Sequence, residues 1–284
     1  MLKVWIVIFL VLLLFLIHFP LDRKVIILCN ASGSGKTKLC IHTSFHKPTI
    51  FIRLVEKNTP RESLQFIEKW IEKLQPKERV FQEHRIAAEV SMNIIRLFVF
   101  SYIHWIVHVV THIKCSTDQI PVLMYRASIN GTADAATFSI LRTVKESVDP
   151  YSFDWDDLFQ AVEKEALKAF GTEKGLPVIA YDEYTILQRK CTGCFFHDKE
   201  LEQGNLEVKL HEMHHRKPGI GYSQTADLFY AFRKVMEKFL NKKWPQLVTG
   251  ANTSLWELGN YSDISPLRGS TLKWQHFHYF SRRD

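Results

Sequence analysis

The chain has 284 residues, of which 46% are hydrophobic and 24% charged, so it can bury a sizeable core and is not disordered by composition. Its net charge of +7 favours anionic partners such as nucleotides, nucleic acid or an acidic membrane surface, although the lysine-rich surface of a soluble protein explains the same charge. The lysines form no dense basic run, so charge alone does not support nucleic-acid binding. Five cysteines, an odd and sparse set, argue against a secreted disulfide framework and fit cytosolic thiols or a small metal site.

Residues 1–21 form a hydrophobic N-terminal segment. The unbroken apolar run of residues 4–17 predicts a helix of about 21 Å, which is shorter than the roughly 30 Å hydrocarbon core of a bilayer. Extended to residues 2–19, the run makes a marginal membrane span. It also has the length of a signal-peptide core, but no small-x-small cleavage pattern follows it. A membrane anchor, a signal peptide and a segment with neither role are the three alternatives.

Residues 22–284 alternate predicted strands with predicted helices, which predicts one α/β domain with three layers and a mostly parallel central sheet. Short apolar runs bounded by turn residues predict strands at residues 24–29, 49–55, 122–126, 176–181 and 246–249, the last being the final core strand. Periodic apolar residues predict helices at residues 36–44, 60–75, 83–112, 155–170 and 226–240. Inserts are expected at about residues 60–115, which are helical, and at residues 188–224, which are polar.

Capping residues set the expected helix boundaries. Thr59 and Glu62 form a capping box, with Pro60 at the first helical position. Asp154 and Thr225 are the expected N-caps of two later helices. The second half of the helix at residues 83–112 is apolar on nearly all sides, and a buried core helix is favoured over a second membrane span.

Residues 30–37 match the phosphate-binding pattern G-x-x-x-x-G-K-[ST], except that Asn30 stands at the first glycine. Asparagine tolerates a positive φ, so the tight turn remains feasible. Small residues let backbone N–H groups surround the phosphates, and the following helix N-terminus adds positive charge. Lys36 would contact the β- and γ-phosphates, and Thr37 would ligate Mg²⁺. The predicted nucleotide-binding residues of this loop are Asn30, Ala31, Ser32, Gly33, Ser34, Gly35, Lys36, Thr37 and Lys38.

Acidic and polar residues follow two later predicted strands. The apolar strand before Asp182 and Glu183 is typical of a Walker B motif, in which Asp182 would hold Mg²⁺ through water and Glu183 would be the general base. A solvated turn is the alternative. After the strand at residues 246–249, Thr249, Asn252 and Thr253 are candidates for a sensor of the γ-phosphate, or for simple strand-end caps.

Three strings in this order resemble the P-loop NTPase domain of Crinkler-type proteins: VIILCNASGSGKTK, VIAYDEYTIL, and LFYAFRKVMEKF leading into QLVTGANTSL. The resemblance covers roughly residues 24–258. That family consists of modular, effector-like proteins whose NTPase domain is similar in architecture to AAA+/STAND ATPases. The resemblance implies ATP binding and hydrolysis at Lys36, Thr37, Asp182 and Glu183. Asn30 departs from the usual glycine of the family.

A second constellation lies in the polar insert. Cys191 and Cys194 form a C-x-x-C pair, and His211 and His215 follow as an H-x-x-x-H pair. Two thiolates and two imidazoles make a tetrahedral zinc set, although the spacing between the pairs exceeds that of the common zinc finger. A polar surface loop with incidental histidines is the alternative.

We therefore expect a magnesium-dependent ATP-binding domain that hydrolyses ATP to drive or switch its interaction with an unidentified protein partner. Two alternatives are a binding module that holds ATP with little hydrolysis and a membrane-tethered protein with a vestigial site. No guanine-reading motif is present, which favours ATP over GTP. Candidates for an arginine finger in a homo-oligomer, or for ordinary ion pairs, are Arg216, Arg233 and Arg268.

The phosphate loop also bears on localisation. Asn30, Ala31 and Ser32 form an N-glycosylation pattern, and a sugar at this position would block the phosphates. The nucleotide domain is therefore expected to face the cytosol or nucleus, whether the chain is anchored to a membrane or acts as a secreted effector.

Overall fold

The computed structural model describes most of the chain between residues 25 and 278. The described residues are 25–29, 37, 40–41, 44–45, 48–56, 59–77, 81–113, 116, 118–170, 176–196, 226–241, 244–250 and 274–278. The predicted hydrophobic helix at residues 1–21 and residues 30–36 of the predicted phosphate loop lie outside these ranges.

Five strands form one parallel sheet. They are β1 (Val25–Cys29), β2 (Thr49–Arg53), β5 (Val178–Asp182), β6 (Gln246–Gly250) and β7 (Trp274–His278). Their order is β2-β5-β6-β1-β7, and each neighbouring pair is parallel. Strands β5 and β6 are buried along their whole length, as is typical of a parallel sheet covered on both faces. The predicted α/β fold with a parallel central sheet is confirmed.

Besides helical residues between Thr37 and Phe45, the described part of the chain contains six α-helices with complete bounds. They are α1 (Glu62–Leu74), α2 (Phe81–His112), α3 (Ile120–Ile129), α4 (Thr132–Ser147), α5 (Trp155–Phe170) and α6 (Leu228–Asn241). The first five follow one another between β2 and β5, and α2 contacts all the other helices as well as β2. A helical block is therefore inserted between two strands that are neighbours in the sheet.

The long helix α2 is apolar enough to cross a membrane, but much of it is buried inside the fold. Among the described residues, Gln82–His112 is the one helix long and apolar enough to cross a membrane, with a mean hydropathy of 1.6 over its most apolar window. However, 61% of that window is buried inside the fold. Because the core helix of a soluble protein has the same length and composition, the apolar character of α2 is only weak support for a membrane span.

The strand predicted at residues 122–126 is wrong, because this segment lies within the helix α3. Pro121 occupies the first turn of the helix, where its missing N–H costs nothing. Met124 and Ser128 are buried four residues apart on one helical face, and the Ser128 hydroxyl accepts a hydrogen bond from the Phe51 N–H on β2 at 3.4 Å. The short apolar run was compatible with either structure, and packing against β2 selects the helix.

The predicted capping box before α1 is also wrong. Thr59 and Pro60 form the short strand β4, which pairs antiparallel with β3 (Val55–Glu56), and the helix begins at Glu62. The buried Arg61 side chain pairs with Glu56 at 2.9 Å, while its backbone N–H donates to the Leu54 carbonyl at 3.0 Å. These contacts hold the residues before the helix in an extended ladder instead of a cap.

Of the two N-caps predicted for later helices, one is confirmed and the other lies outside the described residues. Asp154 is confirmed as the cap of α5, because its Oδ1 accepts hydrogen bonds from the N–H groups of Asp156 and Asp157, both at 3.1 Å. Thr225, the expected cap of α6, lies outside the described residues. Asp227 caps α6 instead, since its Oδ1 accepts the Tyr230 N–H at 3.1 Å.

One strand of the sheet, β7, was not predicted from the sequence. Strand β7 follows β6 in the chain and pairs in parallel with β1, from Val25 beside Trp274 to Cys29 beside His278. The prediction that residues 246–249 form the final core strand is therefore wrong. Residues 246–249 themselves are confirmed as a strand, which extends to Gly250.

Candidate functional site

The candidate site lies at the carboxyl edge of the sheet. Arg53 at the end of β2 is in register with Asp182 at the end of β5. Tyr181 is in register with Val248 on β6, so the next residue, Thr249, lies beside Asp182. Residues in register on parallel strands face the same side of a sheet, which brings the three side chains together. In open α/β sheets, ligands bind beyond the carboxyl ends of the strands.

The Asp182 carboxylate is the centre of this site. It is 2% exposed and accepts a hydrogen bond from the Thr249 hydroxyl at 2.6 Å through Oδ1. The Thr37 hydroxyl contacts both carboxylate oxygens, at 3.1 Å to Oδ1 and 3.4 Å to Oδ2. Because a buried carboxylate is costly without hydrogen-bond donors, these two hydroxyl groups compensate for its burial.

Thr37 comes to Asp182 from a distant part of the sequence. It is a half-buried helical residue that follows β1, and it is separated from Asp182 by 145 residues. Strand β6 lies between β1 and β5, so Thr37 reaches across one strand to the carboxylate. The structure thus brings together Thr37, Asp182 and Thr249, three residues that the sequence assigned separately to one nucleotide site.

Glu183 follows Asp182 in an unusual backbone conformation. Its φ of 58° and ψ of 43° are left-handed, which is uncommon for a residue with a side chain. Its N–H donates to the Thr249 hydroxyl at 3.4 Å, so Thr249 accepts from Glu183 and donates to Asp182. This conformation turns the chain sharply after β5, so that Asp182 stays buried while the Glu183 side chain is half-buried. Such strained residues cluster at functional sites.

The segment after Glu183 is fastened to two helices. Lys190 forms an ion pair with Glu68 on α1 at 2.7 Å, and its carbonyl accepts the Leu228 N–H at the start of α6 at 2.8 Å. The Arg189 N–H donates to the Asp227 carboxylate, also at 2.8 Å. Burial raises the pKa of Asp227, while backbone N–H groups, among them that of Arg189, act against the shift. These contacts fix the segment that follows Asp182 and Glu183 against α1 and the start of α6.

Aromatic side chains support the same strand end. Tyr181 and Tyr184 are fully buried and meet edge to face, and both contact the Phe232 ring on α6. The Tyr184 hydroxyl donates to the Phe229 carbonyl at 3.1 Å. Burial raises the pKa of both tyrosines, and their rings pack behind the strand end.

Sequence reasoning missed Arg53. Its guanidinium Nε lies 3.9 Å from the Asp182 Oδ2, and its side chain is 39% exposed. A cation at the end of an apolar strand resembles an ordinary solvated strand end, so the sequence alone did not single it out. The parallel register between β2 and β5 is what places it at the site.

Several predicted site residues cannot be placed. The loop residues Asn30, Ala31, Ser32, Gly33, Ser34, Gly35, Lys36 and Lys38 and the sensor candidates Asn252 and Thr253 lie outside the described residues. Of the arginine-finger candidates, Arg216 and Arg268 lie outside them too. Arg233 is 4% exposed and pairs with Glu237 within α6 at 3.2 Å, which makes it an ion-pair residue rather than a finger.

The proposed zinc ligands are also described only in part. Cys191 and Cys194 are buried free thiols in the segment after β5, while His211 and His215 lie outside the described residues. The hydrogen bond with Cys194, together with burial, raises the pKa of the Cys191 thiol. Among the described residues no group of three or more His, Cys, Asp or Glu side chains could hold a metal ion, so the four-residue zinc set stays a prediction.

The ligand chemistry at the sheet edge suits a hard cation. Thr37 and Asp182 offer hydroxyl and carboxylate oxygens, the groups that Mg²⁺ takes from a protein when the remaining ligands are phosphate and water. Comparison of the chain with protein-family models, with curated proteins and with solved structures found no match.

Proposed function

We propose that this chain is an ATP-binding domain of the P-loop class that uses Mg²⁺ and hydrolyses ATP. The observation on which the proposal rests is the contact between the Thr37 hydroxyl and the Asp182 carboxylate at 3.1 Å. These are the last residue of the Walker A pattern and the acidic residue of the Walker B pattern. Two motifs found independently in the sequence meet in space, which a chance Gly-Ser-rich turn would not explain.

The strand order supports the same proposal. One strand, β6, separates β1, which precedes the phosphate loop, from β5, which ends at Asp182. This arrangement is expected of additional-strand ATPases, to which the Crinkler and AAA+/STAND domains belong. In such a sheet the end of β6 carries a polar sensor residue, and Thr249 occupies that position.

Each residue then has a separate role. Thr37 and Asp182 would hold the magnesium ion, which supplies charge neutralisation to the phosphates. Lys36 would bind the terminal phosphates, and Thr249 keeps the Asp182 carboxylate oriented. Glu183 would accept the proton of the attacking water, a role that Asp182 cannot serve because its carboxylate is committed to the cation.

The test is equilibrium binding of labelled ATP, with and without Mg²⁺, to the full chain and to Lys36→Ala. Losing a charge-assisted contact costs about 1.5–3 kcal/mol, so the variant should bind at least about tenfold more weakly. Lys164→Ala is the matched control, since Lys164 is an exposed lysine on α5. Equal ATP affinity in the wild type and Lys36→Ala, or no binding by the wild type, would reject the proposal.

A further inference from the structure

Arg53 has donors that its contact with Asp182 does not use. A distance of 3.9 Å between Nε and Oδ2 is an ion pair but lies beyond hydrogen-bond range. Among the described residues, the side-chain hydrogen bonds to this carboxylate come from Thr37 and Thr249. A guanidinium has five N–H donors in a planar fork that fits the oxygens of a carboxylate or phosphate. Arg53 is therefore a charge held close to Asp182 without being bonded to it.

The position of Arg53 leaves it room to move. Its side chain is 39% exposed, whereas the carboxylate beside it is 2% exposed. It ends the outer strand β2, whose partner on one side is β5. Moving the guanidinium away from Asp182 therefore breaks no hydrogen bond between these two described residues.

Charge balance changes at Asp182 when nucleotide binds as proposed above. With a divalent cation at the Thr37 and Asp182 oxygens, the carboxylate no longer offers Arg53 an unneutralised negative charge. The guanidinium would then face a cation of the same sign. In the proposed complex the terminal phosphate would be the anion available to Arg53, and it has three oxygens for a bidentate contact.

We propose that Arg53 exchanges the Asp182 carboxylate for the terminal phosphate, so that it distinguishes a nucleoside triphosphate from a diphosphate within the same chain. This inference rests on the proposed nucleotide site. In this role Arg53 reports which nucleotide is bound. When the terminal phosphate is absent, it returns to the carboxylate. Arg53 lies at the end of β2, and the chain continues from there into β3, β4 and α1. A movement of Arg53 between the two nucleotide states would therefore occur next to the helical block.

If the role of Arg53 is only structural, the expected effect of its removal on nucleotide affinity is different. If the guanidinium only neutralises the buried carboxylate, its removal changes the affinity for triphosphate and diphosphate by the same factor. If it binds the terminal phosphate, its removal affects the triphosphate alone. The ratio of the two affinities therefore separates the roles without any measurement of turnover.

The experiment measures Kd for a non-hydrolysable ATP analogue and for ADP, both with Mg²⁺, by calorimetry on the full chain. Arg53→Ala should raise the Kd of the analogue by about 10- to 100-fold and the Kd of ADP by less than about threefold. Arg53→Lys should recover part of the loss, because it restores the charge without the fork. The control Arg142→Ala removes an exposed arginine of α4 and should leave both affinities unchanged.

The outcomes separate this inference from the proposed function. Equal weakening of both ligands, or no weakening, in an Arg53→Ala protein that unfolds as cooperatively as the wild type overturns the role of Arg53 and leaves the nucleotide site standing. The same holds if Arg53→Lys shows no selective loss while Arg53→Ala fails to fold. Failure of the wild type to bind either ligand rejects the nucleotide site and this inference together.

Discussion

Replacing Thr249 by valine tests whether the buried Asp182 carboxylate is held as the structure indicates. Valine matches threonine in shape, so the change removes the 2.6 Å hydrogen bond to Oδ1 without leaving a cavity. It also removes the acceptor of the long Glu183 N–H bond. The carboxylate, which is 2% exposed, would keep Thr37 as its remaining hydroxyl donor.

The expected cost follows from the charge of the acceptor. A hydrogen bond to a charged group contributes about 1.5–3 kcal/mol to folding, against about 0.5–1.5 kcal/mol for a bond between neutral groups. Thr249→Val should therefore lower the free energy of unfolding by about 1.5–3 kcal/mol in the wild type. In an Asp182→Asn background, where the acceptor is neutral, it should cost about 1 kcal/mol less.

The assay is urea unfolding of the four proteins of this double-mutant cycle, without nucleotide, followed by fluorescence. The lost Glu183 bond occurs in both backgrounds and cancels in the coupling energy. Thr249→Ser is the matched control, because it keeps the hydroxyl and should cost only the lost methyl group, about 0.8 kcal/mol. A Thr249→Val cost that is the same in both backgrounds, or no larger than that of Thr249→Ser, would refute the role of this hydrogen bond.

Two further predictions concern the proposed chemistry. Glu183→Gln should leave ATP affinity nearly intact and slow single-turnover hydrolysis by roughly 10²–10⁴-fold. Glu83→Gln, at an exposed position, is the control. If the wild type binds ATP but hydrolyses it no faster than Glu183→Gln, the chain is a binding module that holds ATP and not an enzyme. Protein purified without chelator should contain one zinc per chain by elemental analysis, and Cys191→Ser with Cys194→Ser should remove it. Zinc-free wild-type protein would end that idea.

The parts of the site that could be predicted are residues whose position follows from the sequence immediately around them. Asp182 comes at the end of a short apolar run that predicts a buried strand, and an acidic residue at such a strand end lies at the ligand-binding edge of a parallel sheet. Thr249 ends a similar run for the same reason. The contact between Thr37 and Asp182 was expected because the sequence assigns both residues to the same Mg²⁺ ion.

The parts that could not be predicted depend on contacts between distant residues. Residues 122–126 have a strand-like composition, yet they lie in a helix that packs against β2 through Ser128. Strand β7 mixes polar and aromatic residues, and its extended structure depends on pairing with β1. Arg53 becomes part of the site only through the register of β2 with β5, which no local pattern encodes. The left-handed backbone of Glu183 likewise contradicts the preference of its own residue type.

The order of strands in the sheet has a consequence for how this protein folds. Even the pairing that is closest in sequence, Ile179 beside Gln246, closes a long loop, and β1 must wait for β6 and β7 near the other end of the chain. The helices between β2 and β5 pack largely against one another, so they can assemble from local contacts first. During synthesis, β1 and β2 therefore leave the ribosome with unpaired edges long before their partners exist. The apolar strands that carry Asp182 and Thr249 are thus expected to be among the last parts to be protected, and we expect the chain to be most exposed to aggregation at this stage.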